Sequence, residues 1–133
     1  MLTVDLTPIA NKLENEGLGT PGTDLFVNFM PMEAADAVLL RSPLSGTEID
    51  PNLPGYYRCY FTVVVRTRDF VRGQEKMQEV MRTLTVYNED VDDIFVKQMY
   101  PKTLPVYFPI SDGNFYEIQV TFDLVYVGTA YGR

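Results

Sequence analysis

Histidine is absent from this chain of 133 residues, and cysteine occurs once. Without imidazole there is no Ser-His-Asp or Cys-His arrangement, no zinc site built on histidine, and none of the usual proton exchange near neutral pH. Cys59 has no second thiol in the chain to pair with. Its place in the apolar run YYRCYFTVVVR predicts burial as a small hydrophobe in a reducing compartment. With no base to activate it, nothing supports a catalytic thiol. No apolar run approaches the ~20 residues of a spanning helix. The opening MLTVDLTPIANKLENEG has neither the basic flank nor the apolar stretch of a signal peptide. The expectation is a protein with no membrane partner that stays in the compartment where it is made. The glycines sit in proline-rich turns rather than between a strand and a helix, so there is no P-loop or dinucleotide fingerprint. No cofactor and no enzymatic activity are implied.

Positive charge is also scarce: 11 Lys and Arg stand against 18 Asp and Glu, for a net charge of −7. Neutralising phosphates requires a basic surface, so the chain is not built to wrap nucleic acid. An acidic wall past which a duplex slides without sticking remains compatible with that balance.

What is present is ordinary globular material, 46% hydrophobic and 22% charged, at a length that fits a single domain spanning residues 1–133. Leu6, Ile9, Ala10 and Leu13 recur at helical spacing, with Thr7 placed to cap, Pro8 in the first turn and Gly17 as a left-handed stop. Two short apolar runs follow, Asp24 to Met30 and Ala37 to Arg41, broken by PMEAAD and expected to pair as in a hairpin. Ser42 to Gly55 carries three prolines and two glycines in fourteen residues. Loops of ~12 to 15 residues without regular structure usually bind something, which makes this one a candidate contact arm; the alternative is a surface loop without a partner.

Tyr56 to Arg66 alternates, with Cys59, Phe61, Val63 and Val65 on one face and Arg58, Tyr60, Thr62, Val64 and Arg66 on the other. Asp69 then caps a helix reaching about Leu84, with Phe70, Gly73, Met77, Val80, Met81 and Leu84 on one face. Gly73 within that face costs ~1 kcal/mol of helix propensity, which predicts a close approach to the sheet. The acidic stretch NEDVDD precedes a short strand, Ile94 to Tyr100. Prolines 101, 105 and 109 cut the next segment into extended pieces, and the turn SDGN leads to a last strand from Phe115 to Val127. There Tyr116, Ile118, Val120, Phe122, Leu124 and Tyr126 alternate with Glu117, Gln119, Thr121, Asp123 and Val125. Such alternation predicts an α+β fold, a mostly antiparallel, mixed sheet with helices on one face and polar residues on the other. The tail GTAYGR is expected to fray or to serve assembly.

Two charged groups are candidates for chemistry or contact. Glu89, Asp90, Asp92 and Asp93 could attract a hard cation, but they lack the alternate spacing, central glycine and closing glutamate of a calcium loop, so a solvated acidic loop is expected and no metal. Arg58, Arg66, Arg68, Arg72, Lys76 and Arg82 place six of the eleven positive charges in one strand-helix unit. A basic patch of this kind can meet an acidic patch on another copy, or it can be scattered surface pairs of little worth. Glu117 and Asp123 are ~20 Å apart along a strand, too far to serve one glycosidic bond. The candidate contact residues are therefore Arg66, Arg68 and Arg72, Glu48 and Asp50 in the long loop, and Glu117 and Asp123 on the last strand.

The order of these elements resembles the tail terminator and minor capsid proteins of tailed bacteriophages. The resemblance is carried by the early helix, DLFVNFMP, the segment GTEIDPNLPGYYRCYFTVVVRTRDF running into the helix that ends RTL, and SDGNFYEIQVTFDLVYV. In that family a strand ending in an arginine is followed by an acidic residue and an aromatic that open the second helix, here Arg66, Asp69 and Phe70. The resemblance implies a virion protein of the tail or neck, assembled in the host cytoplasm as a homo-oligomeric ring of six. It also implies a tail tube protein and a neck or connector protein as partners, with viral DNA passing through the channel unbound. Another phage structural part (a stopper, tube or minor capsid protein) and a binding module from outside phage are the alternatives.

Overall fold

The computed structural model describes residues 5–31, 33–43, 46–53, 55–108 and 115–128. Helix α1 (Thr7–Asn15) opens the chain and is followed by β1 (Leu25–Val27), β2 (Ala37–Arg41), β3 (Glu48–Ile49) and β4 (Tyr56–Thr67). Helix α2 (Phe70–Thr83) then leads to β5 (Val86–Val91), β6 (Ile94–Pro101), β7 (Val106–Phe108) and β8 (Tyr116–Val127). The eight strands form one mixed, mostly antiparallel sheet in the order β1-β2-β4-β8-β6-β5, with β3 beside β4 and β7 beside β8. This is the expected α+β architecture. The turn SDGN and all but Gly128 of the tail GTAYGR lie outside the described residues.

The two twelve-residue strands β4 and β8 are the axis of the molecule, antiparallel along their whole length from Tyr56↔Val127 to Thr67↔Tyr116. Alternation sends Cys59, Phe61, Val63 and Val65 of β4, with Leu124, Phe122, Val120 and Ile118 of β8, to the helix side, where all are buried. Phe61 and Phe122 stack at 5.3 Å between ring centroids. Each fully buried side chain of this size contributes about 1.5–3 kcal/mol, so the paired rows dominate the core. Ile9 and Leu13 of α1 and Met77 and Val80 of α2, with Leu84 just beyond it, cover them.

Local chemistry sets the helix ends. Leu6, not Thr7, occupies the cap position of α1, and the Thr7 amide donates to Asp5 Oδ1 at 2.9 Å, so the upstream carboxylate supplies the acceptor. Gly17, at φ +76°, stops the helix as expected. Asp69 caps α2, accepting from the amides of Val71 and Arg72 at 3.1 and 3.3 Å. At Gly73 a Cβ would overlap Thr67 Cγ2 and lie 3.1 Å from Ile118 Cδ1, which is the close helix-sheet approach its position foretold.

Four further expectations are corrected. β1 and β2 pair in parallel, Leu25↔Val38 to Val27↔Leu40, rather than as a hairpin. The described residues between them run over the sheet face opposite the helices. Met30 and Ala34 pack there on Ala37, Leu39 and Val64, so that face is polar only in part. Glu89, Asp90, Asp92 and Asp93 are not a loop: the first two lie in β5, and Asp92 (φ +52°) and Asp93 make a two-residue turn into β6. Lys12 reaches Glu89 at 3.1 Å and Asn11 donates to Asp92 at 2.6 Å, tying α1 to this hairpin. Phe70, expected on the buried face of α2, is instead part exposed at its first turn, against Tyr107 and Tyr116.

Candidate assembly interface

The register of β4 decides which charged residues meet. At its C-terminal end Arg66 stands opposite Glu117, with Nε donating to Glu117 Oε2 at 3.2 Å. Its Nη1 donates to Pro31 O at 2.9 Å, clamping the β1–β2 crossover. Arg66 is thus largely engaged within the chain. Arg68 is exposed, its guanidinium 4.7 Å over the Phe115 ring. Arg72 projects from the first turn of α2, 69% exposed, and approaches Asp36 at 3.9 Å. An exposed pair of that length contributes roughly 0–1 kcal/mol, so it leaves the guanidinium available.

Around these arginines lies apolar surface. Phe70 and Val71 of α2 are exposed beside Tyr107, whose hydroxyl accepts from Gln74 at 3.3 Å. Among the described residues β7 pairs with β8 alone and shows Val106, Tyr107 and Phe108 to solvent, and Leu104 before it is 82% exposed. These apolar residues are missing from the sequence-predicted set. Helical periodicity put Phe70 inside, and the proline-bracketed LPVYFP was legible only as extended chain; brackets of that kind do mark an edge strand.

The other end of β4 is acidic. Within the long loop, β3 pairs Glu48 with Arg58 and Ile49 with Tyr57. Asp50 Oδ1 accepts the Asn52 amide at 2.9 Å and shapes the turn that follows. Glu48, Ile49, Asp50, Pro51, Tyr57 and Arg58 line a recess of about 410 Å³; Ile49 is exposed there, as is Leu53, whose amide donates to Asp50 O at 3.3 Å.

Between the two ends, Asp123 is only 2% exposed. Its Oδ2 accepts from Arg58 Nη2 at 2.7 Å and from the Tyr100 hydroxyl at 3.2 Å, while Oδ1 is buried with no hydrogen-bond partner among the described residues. The hydrogen bond from Arg58, then the carboxylate charge, raises the guanidinium above its ordinary value; the bond from Tyr100 likewise raises that phenol. Arg58 therefore stands between two predicted residues, Glu48 and Asp123, and neither touches Arg68 or Arg72.

Both halves of this surface fall within one family match. A family model described as bacteriophage tail terminator protein matches residues 12–127, from within α1 to the end of β8. The chain belongs to that family. It is accordingly a structural protein of a phage tail, as the resemblance implied. Twelve chains of solved structures match this tail terminator family member. One, from the virion of a native gene transfer agent particle, has a TM-score of 0.61 at 15% identity, over 80% of this chain and 81% of that one. At that identity the likeness concerns the fold. No curated protein sequence matches.

Proposed function

We propose that this tail terminator forms a closed ring on the end of the tail tube, halts its growth and joins the tail to the head through a neck protein. The observation that carries the reading is the family match over residues 12–127, which takes in the whole sheet and both candidate contact ends. A ring built from one kind of subunit uses heterologous contacts, so each copy needs two unlike surfaces. The basic, apolar corner at α2 and β7 and the acidic recess at β3 supply two such surfaces. The net charge of −7 suits a conduit, because an acidic wall does not hold the phosphates of a passing duplex. The work is done by shape and charge, with no bond-making step.

The test is imaging of particles that lack this protein, together with the purified chain added to isolated tail tubes. Tails of uncontrolled length without heads, and rings capping tube ends after addition, are the expected results. Normal-length tails that merely fail to join heads would identify a stopper instead. A protein found only as a monomer, both in solution and on tubes, would sink the ring.

A further inference from the structure

The two ends of β4 match each other, and we infer that the corner of Arg68, Phe70, Val71 and Arg72 on one copy docks into the Glu48–Asp50 recess of the next copy. The inference rests on the ring reading and adds to it which faces meet. Both surfaces are apolar with a charged border. Phe70 and Val71 are exposed beside the guanidiniums of Arg68, which lies over Phe115, and Arg72, which reaches Asp36 only at 3.9 Å; Ile49 is exposed beside Glu48 and Asp50, and exposed Leu53 donates its amide to Asp50 O. Arg68 and Arg72 are opposite in sign to Glu48 and Asp50, so the same pairing that seats apolar on apolar also sets orientation, which is the usual task of rim charges.

A second copy is the occupant that fits because both halves stand on one chain and cannot meet within it. Tyr57 and Arg68 are eleven residues apart on a continuous extended segment, about 35 Å at ~3.3 Å per residue. The contact is head-to-tail, and repeating it generates a closed ring when the rotation between neighbours closes. Arg66 and Asp123 lie inside this scheme as positioning residues: Arg66 holds the crossover beside Asp36, and Asp123 holds Arg58 opposite Glu48.

Charge reversal on each face tests this with the full chain. One variant carries Arg68→Glu and Arg72→Glu, the other Glu48→Arg and Asp50→Arg, with folding checked by circular dichroism. Alone, each has like charges at every junction, and its ring population, read by sedimentation or on tube ends, should fall at least about tenfold. Mixed in equal amounts, the two should regain rings in which they alternate. Wild-type assembly by either variant alone, or no recovery on mixing, would overturn the face pairing while leaving the ring intact. Absence of rings from the unmodified chain would overturn the ring reading itself.

If a reversal unfolds the chain, the pair Leu53→Cys and Val71→Cys decides. Buried Cys59 stays silent, and oxidation of assembled protein should give a ladder of linked copies. Linkage to the tube or neck protein, or none within intact rings, would refute the pairing.

Discussion

Burial pushes the Cys59 thiol from an ordinary 9.0 up to about 12, chiefly by desolvation and then by the charge of Asp123. The folded chain keeps the proton that the unfolded chain loses. Stability from this group is therefore complete below pH 9 and is lost as pH rises toward 12, by at most about 1.4 kcal/mol per pH unit. Denaturation midpoints should begin to fall between pH 9 and 10, and Cys59→Ala should flatten that decline although it loosens packing; parallel curves for the two proteins would refute the assignment. Gly73 offers a second local test. Gly73→Ala gains ~1 kcal/mol of helix propensity but forces a methyl against Thr67, which cannot rotate away because its hydroxyl is held by Asp36 and Asp69. Overpacking of this kind costs about 1–3 kcal/mol, so a net loss of about 1 kcal/mol in thermal unfolding is expected, relieved when Thr67→Ser removes the clashing methyl. A melting temperature raised by Gly73→Ala would show that the helix shifts freely. Both effects were legible in sequence, one from an apolar run and one from a glycine on a buried helical face. Asp123 was not: alternation assigns it to the polar face, and only the strand register reveals that Arg58 and Tyr100 enclose it.

Among the elements, period alone sufficed wherever one strand has a single buried face. β4 and β8 fall within a residue of where alternation places them, and α2 within a residue of its cap and periodicity. Partner and direction were hidden, because β1 and β2 contain too few residues to separate parallel from antiparallel pairing. What decides is the crossover, whose Met30 and Ala34 find an apolar patch on the face opposite the helices. Likewise the acidic stretch reads as solvated loop, yet strand pairing needs only backbone, and its side chains reach α1 or water. The crossover gives this scale its prediction. Arg66→Met keeps the aliphatic stem but removes the donors to Pro31 and Glu117, a loss on the order of 1–2 kcal/mol for charge-assisted bonds that are mostly shielded from solvent. Hydrogen exchange should quicken at the amides of Asn28 and Val38, which donate to Leu40 and Asp24, while β5 and β6 keep their protection. Uniform quickening across the sheet would mean that Arg66 supports the whole fold rather than this segment.

At the scale of the whole molecule, the uneven spread of positive charge was visible in the sequence, but its geometry was not. Arg58 and Arg66 belong to the same run of cations, yet each is neutralised across the sheet, by Asp123 and Glu117. Arg68 and Arg72, just beyond the strand, are left for contact at one end, and Glu48 of β3 and Asp50 next to it stand at the other. If those ends are the junctions, β4 and β8 run around the ring and each copy spans about 35 Å of its circumference. Six copies then close a ring of about 210 Å around, with a mean diameter on the order of 70 Å. Top-view averages of the assembled ring test this directly. A repeat near 20 Å would require the long strands to point along or across the channel, and the two ends of β4 could not then be the contacts. Salt gives an independent reading of the same surfaces: exposed charges attract over a Debye length of ~10 Å at 0.1 M and ~3 Å at 1 M, so rings of the natural chain should dissociate more readily as salt rises. The variant with reversed arginines should respond in the opposite sense and recover part of its assembly in high salt, because what salt screens there is repulsion.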